Sequence, residues 1–364
     1  MSDERIRFFL PGPSWVLADV REAMTAPAIG HRGGPFKALY ASLQEPLRAV
    51  FRTSGDVLLA SGSATLVMES AVVSTVRGSV LHLTSGAFAE RWLSISRSRG
   101  LDADQVSVPW GEAVAPDLVR EALRRKRYDA VTVTHNETST GVIQPVEEIA
   151  RVVREESDAL VLVDAVSSLA GATLETDAWN LDVVLAGTQK AIAAPPGLVA
   201  FTLSERAAER AAQTPHRGFY TDLLRYRDKH RAGGTITTPP IPIVYALARQ
   251  LERIVSEGLP ARWERHLALR AQTAEWAERA GFTHASAAGA HSPTVSCLRP
   301  PEGVAAPALV ATLAERGIVV GGGYGGWKQE TLRIGHMGEV RAADLAALFE
   351  AVESVAGRPS GVPA

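Results

Sequence analysis

The 364-residue chain is long enough for one large domain plus a smaller one, each with its own core. A net charge of −2 with balanced acid and base argues against a nucleic-acid surface or an acidic tail, and the single cysteine, Cys297, excludes an intramolecular disulfide or a multi-cysteine metal site. The opening Met1-Ser2-Asp3-Glu4-Arg5 lacks the apolar core of a signal peptide and no apolar run reaches membrane-spanning length, so a soluble cytoplasmic protein is expected.

From about residue 55 to 203, short apolar runs alternate with helical patterns. The expected strands are Val57-Leu58-Leu59, Val80 to Leu83, Ala130 to Val133, Ala159 to Val163, Val183 to Leu185 and Leu198 to Phe201. Amphipathic stretches such as Asp117 to Arg127 and Val146 to Glu156 lie between them. Strand–helix alternation predicts a largely parallel sheet covered on both faces, with ligands beyond the carboxyl ends of the strands. Residues 213–243, which include "AGGTITTPPIPI", read as an irregular connection. Beyond it come helices at 244–257 and 261–280, a strand near Thr294 to Leu298 and a helix near 307–316. A strand at Ile318 to Val320, a glycine loop, a strand at Thr331 to Ile334 and a helix at 342–356 complete a smaller α+β unit. The tail "GRPSGVPA" is expected to fray.

The residues just beyond the strand ends carry the chemistry. After the first strand comes Ser61-Gly62-Ser63-Ala64-Thr65, opening a helix whose free N–H groups form an anion site; alone, it reads more simply as a serine N-cap. It is neither GxGxxG nor a P-loop. After the fourth comes Asp164, a carboxylate that ends an apolar strand and needs a cation, a donor or a cap; no acid or histidine cluster nearby supports a metal. After the fifth come Gln189 and Lys190, with no acidic residue within seven positions of the lysine. Desolvation favours a neutral, nucleophilic amine there, suited to Schiff-base chemistry, while the simpler reading is a lysine whose tip reaches water. An anion cradle, a carboxylate wanting a cation and a neutral lysine on one sheet edge are together what pyridoxal 5′-phosphate (PLP) requires.

With the motifs "HNETSTGV" (His135 to Val142), "VDAVSSLAG" (Val163 to Gly171) and "GTQKAIAAPPGL" (Gly187 to Leu198), the sequence resembles class V PLP-dependent aminotransferases of fold type I. The matching branch holds the alanine–glyoxylate, serine–pyruvate and archaeal-type phosphoserine aminotransferases. The resemblance runs from "FLPGPSWV" at Phe9 to "LRIGHMG" ending at Gly338. It implies an α/β fold: a large domain (16–243) with a mostly parallel, seven-stranded-type sheet between helices, a smaller α+β domain (244–364), and an N-terminal segment (1–15) packing near the small domain or a partner.

The resemblance also implies site roles. Lys190 would form the Schiff base with PLP and then act as general base, and Asp164 would pair with the pyridine nitrogen. Val166 and Phe88 would pack on opposite faces of the ring, where some relatives carry tryptophan in place of Phe88, and Thr138 would lie by its 3-oxygen. Ser63, Ala64, Thr65 and Gln189 would hold the phosphate, and Thr238, with Thr235 behind it, would reach the phosphate of a neighbouring subunit. Arg333 would clamp the substrate α-carboxylate. The family completes its sites across a two-fold interface, so a homodimer is implied. "GHRGGPFKALY" (Gly30 to Tyr40) lies in the segment such enzymes lend to their partner; His31 and Arg32 would there meet a distal substrate anion, or else form a surface turn.

Class V desulfurases place a histidine before the lysine and use a loop cysteine. Gln189 stands there instead, and Cys297 reads as buried in a strand, which favours transamination. The donor is read as phosphoserine first, then serine or alanine, and the acceptor as 2-oxoglutarate, glyoxylate or pyruvate. In the glycine loop "GGGYGGWKQET" (Gly321 to Thr331), Lys328 is the one cation for a distal anion, while Tyr324 and Trp327 either wall the pocket or pack locally. A PLP lyase or racemase and a non-catalytic binding protein are the rival classes. Trp263, Leu267, Ala271 and Ala274 read as a helical core stripe, Arg124 to Arg127 as a solvated helix end, and Trp110 as packing. His135 and His336 have no partners at metal spacing, so no metal site is read.

Overall fold

The computed structural model describes residues 7–356; the "GRPSGVPA" tail and the start through Arg5 lie outside the described residues. In chain order, the strands are β1 (Phe8–Phe9), β2 (Val57–Ser61), β3 (Ser79–Thr84), β4 (Asp102–Ser107), β5 (Ala130–Thr134), β6 (Asn136–Glu137) and β7 (Val142–Ile143). They continue with β8 (Leu160–Asp164), β9 (Val183–Gly187), β10 (Leu198–Thr202), β11 (Thr283–His284), β12 (Val295–Arg299), β13 (Val319–Gly322) and β14 (Leu332–Gly335).

A seven-stranded sheet has the order β2-β10-β9-β8-β5-β3-β4. Its neighbours run parallel except around β10, which is antiparallel to both β2 and β9. Side chains alternate along each strand, so successive residues feed opposite cores. Val131, Val133, Val161, Val163 and Val184 enter one core with Phe36, Leu47, Ile149 and Leu247 from covering helices. Ala130, Leu160, Leu162, Val183 and Leu185 enter the other with Val67 and Trp92. Burial on both faces explains why these strands read as unbroken apolar runs.

A five-stranded sheet, β1-β13-β14-β12-β11, is antiparallel apart from the β1–β13 pair. Three helices, Leu259–Arg279, Ala306–Glu315 and Ala342–Ala356, pack on it through Trp276, Leu313 and Phe349. Trp276 and Phe349 stack with centroids 4.3 Å apart.

Three sequence expectations are revised. The edge strand β4 was not foreseen because "DADQVS" is polar and half-exposed. The irregular stretch 213–243 contains a helix, Leu223–Arg231, capped by Asp222, whose carboxylate accepts from Leu224 N–H at 3.0 Å. The Trp263–Leu267–Ala271–Ala274 stripe is not a core face: Leu267 is 41% exposed and Ala271 is exposed. That helix instead buries Arg262, His266, Leu269, Thr273 and Trp276. The Arg262 guanidinium is satisfied there by the carbonyls of Ala170 and Ala191 and by the carboxylates of Glu257 and Glu339. Apolar spacing cannot reveal a buried face built around a fully paired arginine.

Candidate functional site

A cavity of about 390 Å³ opens where β2, β8 and β9 end, the place expected for a doubly covered sheet. It is lined by Ser63, Ala64, Thr65, Phe88, Thr138, Asp164, Val166, Gln189 and Lys190, all foreseen from the sequence. A wider groove of about 800 Å³ runs along the amino ends of β3 and β5. Its Arg210 and Arg154 are already paired with Asp129 and Asp182.

Lys190 lies just beyond β9, and the N-terminal segment fixes it from the other side. Ser14 N–H donates to Gln189 O at 2.8 Å, and Ser14 Oγ donates to Lys190 O at 2.7 Å. Lys190 Nζ donates to Pro11 O at 2.6 Å and stands 5.9 Å from the Phe88 ring centroid. Gly12, at φ +110°, leaves the space for it: a Cβ there would lie 2.3 Å from Nζ. Burial lowers the Lys190 pKa to about 8, the Arg333 guanidinium adds to this, and Asp164 opposes it.

Asp164 ends β8, 5% exposed. Among the described residues its carboxylate accepts one hydrogen bond, from Val166 N–H at 2.8 Å. Burial pushes it up to about 6, partly relieved by that N–H, with the Glu137 carboxylate raising it further. Among the described residues no cation forms an ion pair with this buried acid, though the charges of Arg91 and Lys190 lower its pKa from a distance.

The helix Ala64–Thr75 starts at the cavity. Ser63 occupies the N-cap position with extended backbone, yet its side chain makes no cap hydrogen bond. Leu66 N–H donates to Ser63 O at 2.9 Å, so among the described residues the N–H groups of Ala64 and Thr65 and the Ser63 hydroxyl are left for a ligand rather than for a simple serine cap. Thr138 Oγ1 and Ser167 Oγ lie 2.5 Å apart. Arg333, on β14, donates from Nε to Gly322 O at 2.8 Å and from Nη1 to Thr138 O at 3.2 Å, which brings it beside the cavity.

The remaining foreseen residues do not line the cavity of one chain. Thr238 Oγ1 lies 3.4 Å from His31 Nε2, Thr235 Oγ1 donates to Thr237 O, and Arg32 is exposed.

Three residues were missed. Arg91, one helical turn after Phe88, lies with its guanidinium 4.9 Å from the Phe88 ring and donates to Thr65 Oγ1 at 3.1 Å. Asn136 lines the cavity at 2% exposure, with both amide atoms unpartnered among the described residues. Glu137, fully buried, accepts from the N–H groups of Phe88, Ala89 and Ser139 and from Ser139 Oγ. The F-x-x-R spacing in "AFAERW" was a usable signal for Arg91; the other two are set by contacts remote in sequence.

A family model described as aminotransferase class-V matches residues 29–343. An uncharacterized aminotransferase of Methanocaldococcus jannaschii is 37% identical, over 94% of this chain and 91% of its own length. The serine–glyoxylate aminotransferase of Methylorubrum extorquens is 31% identical, over 94% and 88%. The crystal structure of an alanine–glyoxylate aminotransferase from Nostoc sp. is similar at a TM-score of 0.91 and 32% identity, over 98% of this chain and 96% of that one.

Proposed function

The chain belongs to the class-V aminotransferase family, and from that premise we propose that it moves the amino group of serine or alanine to glyoxylate. The enzyme is a PLP-dependent aminotransferase. Its residues fit that cofactor: an uncapped helix start for a phosphate, a buried carboxylate short of a cation for a protonated ring nitrogen, and a lysine near neutrality for an aldehyde. Ser63, Ala64, Thr65 and Gln189 would hold the phosphate, Asp164 the ring nitrogen, and Phe88 and Val166 the two ring faces. When bound, the cofactor supplies the carbonyl that takes the amino group and a ring that accepts electron density from the substrate α-carbon.

The chain's own part is positioning and proton transfer. Lys190 Nζ, with its pKa lowered to about 8, exchanges a proton with the substrate α-carbon near neutral pH. Arg333, with its Nη2 unengaged among the described residues, clamps the substrate carboxylate. The observation supporting a small, singly charged donor is the surroundings of that arginine: Tyr324 covers it at 5.4 Å, and the loop's own cation, Lys328, is exposed. Serine, alanine and glyoxylate are the substrates in the names of two relatives. Phosphoserine, placed first on sequence grounds, becomes the second reading, since it needs His31 and Arg32 delivered by a partner subunit. That delivery, with Thr238 and Thr235 at the partner's phosphate, is part of the homodimer we propose. So is a division into a cofactor domain (16–243) and a small domain (244–364), with the N-terminal segment, from residue 7 on, near the small domain or a partner. No helix among the described residues is long and apolar enough to cross a membrane.

The test is amino transfer itself. Glycine formation from glyoxylate is measured with L-serine, L-alanine and L-phosphoserine in turn, with Lys190→Ala as control. Glycine from serine or alanine supports the proposal, and a preference for phosphoserine reverses the order. Racemisation without a 2-oxo acid moves the enzyme to another reaction, and turnover by Lys190→Ala removes the lysine from its role.

A further inference from the structure

The loop between β13 and β14 is glycine-rich and exposed, yet it is tied down at two aromatic contacts. Trp327 meets Trp110 edge to face with centroids 5.7 Å apart, and the Arg299 guanidinium covers Trp327 at 4.9 Å. The fit leaves no spare room: a Cβ on Gly325 would lie 2.6 Å from the Trp110 ring, and one on Gly111 would lie 3.1 Å from Trp327. Trp110 is itself held, its Nε1–H donating to Glu90 Oε1 at 3.0 Å. Glu90 belongs to the helix Ala87–Ser98, which also carries Phe88.

The consequence falls on Tyr324. Its ring lies 5.6 Å from that of Phe88 and 5.4 Å from the Arg333 guanidinium. Nε and Nη1 of Arg333 are engaged by Gly322 O and Thr138 O. A guanidinium held at two nitrogens and against an aromatic face has lost its rotational freedom while keeping Nη2 for a ligand.

Resting on the reading of Arg333 as the carboxylate clamp, we propose that Tyr324 is a positioning residue for the substrate carboxylate. Its ring fixes the guanidinium plane of Arg333, and the Trp110–Trp327 contact holds the ring in place. Donor and acceptor acids share this clamp, so the effect is on binding of both and not on the chemical step.

The test combines steady-state kinetics with direct binding of propionate, a carboxylate with no amino group, measured by calorimetry on the cofactor-loaded protein. Tyr324→Leu is expected to raise the propionate Kd and both KM values about tenfold, within the range of a partly desolvated cation–π contact, with kcat nearly unchanged. Tyr324→Phe, which keeps the ring, should stay within about twofold of wild type, and Trp110→Ala should follow Tyr324→Leu in direction. Unchanged propionate binding in Tyr324→Leu overturns the proposal, as does Tyr324→Phe binding as weakly as Tyr324→Leu. Arg333→Gln separates the two readings: if it binds propionate like wild type, Arg333 is not the clamp and the role for Tyr324 falls with it. If Tyr324→Leu weakens propionate binding while no donor yields glycine, the positioning role stands and the proposed reaction falls.

Discussion

Glu137 fixes the start of the helix that carries Phe88: its carboxylate accepts the Phe88 N–H at 3.0 Å and the Ala89 N–H at 2.9 Å. Gly86, the residue before the helix, has no side chain to cap it, and a Cβ there would lie 2.5 Å from Glu137 Cγ. The acid reaches in from β6 and takes the place of a local cap. Glu137→Ala leaves the buried N–H groups of Ala89 and Ser139 and the half-buried one of Phe88 without that acceptor, so a loss of about 3 kcal/mol or more is expected in urea unfolding. Glu137→Gln keeps one carbonyl acceptor and should lose less. Glu137→Ala should also weaken cofactor retention, because Phe88 is no longer held over the cavity, and Glu137→Gln should weaken it less.

How far the sequence announced this site depends on where each residue's partners lie. Asp164 and Lys190 stand out because each ends or succeeds an apolar strand, a local signal. Glu137 and Asn136 lie in a short polar stretch, and their importance comes from backbone about 48 residues away or from the cavity that distant strand ends enclose. The same reason hid the buried face of the helix Leu259–Arg279. Arg262 satisfies carbonyls at Ala170 and Ala191, close to Asp164 and Lys190, and no periodicity encodes such long-range pairing. Strands buried on both faces were legible, whereas the polar edge strand β4 was not.

Gly12→Ala tests the space kept for Lys190. Strain at φ +110° should cost roughly 1–3 kcal/mol of stability. The contact with the flexible lysine tip relieves itself by moving Nζ away from Pro11 O. Activity should therefore fall far more than stability, by about a hundredfold for a reacting group displaced by an ångström. Equal losses in both would mean that the glycine serves only the backbone.

The rate at which the cofactor-free protein takes up PLP should track the neutral fraction of Lys190. With the pKa near 8, uptake rises about tenfold per pH unit below that value and levels off above it. Arg333 lowers the lysine pKa and Asp164 raises it. Arg333→Gln should therefore move the midpoint upward, and Asp164→Asn should move it downward. Stopped-flow absorbance between pH 6 and 9 reads both shifts, and a midpoint common to all three proteins would remove these groups from control of Lys190.

Acid should unfold the protein through its buried and half-buried histidines. Burial holds His82, His135 and His284 down at about 4 and His336 at about 3, against an ordinary value of 6.5. Below pH 6.5 the unfolded chain binds protons that the folded chain refuses, so stability falls as pH drops until the folded pKa is reached. Each such histidine contributes a slope of about 1.4 kcal/mol per pH unit within that window. His284 isolates one of them: among the described residues both its ring nitrogens lack partners, and its ring centroid lies 4.2 Å from that of His291, whose charge also opposes its protonation. His284→Phe keeps a ring against His291 and removes the titration. Urea midpoints at pH 7.5 and 5.5 should show this variant gaining on the wild type as pH falls. A constant difference between the two would mean that His284 titrates alike in both states, and a wild type that gains on the variant would mean that His284 is already charged in the folded state.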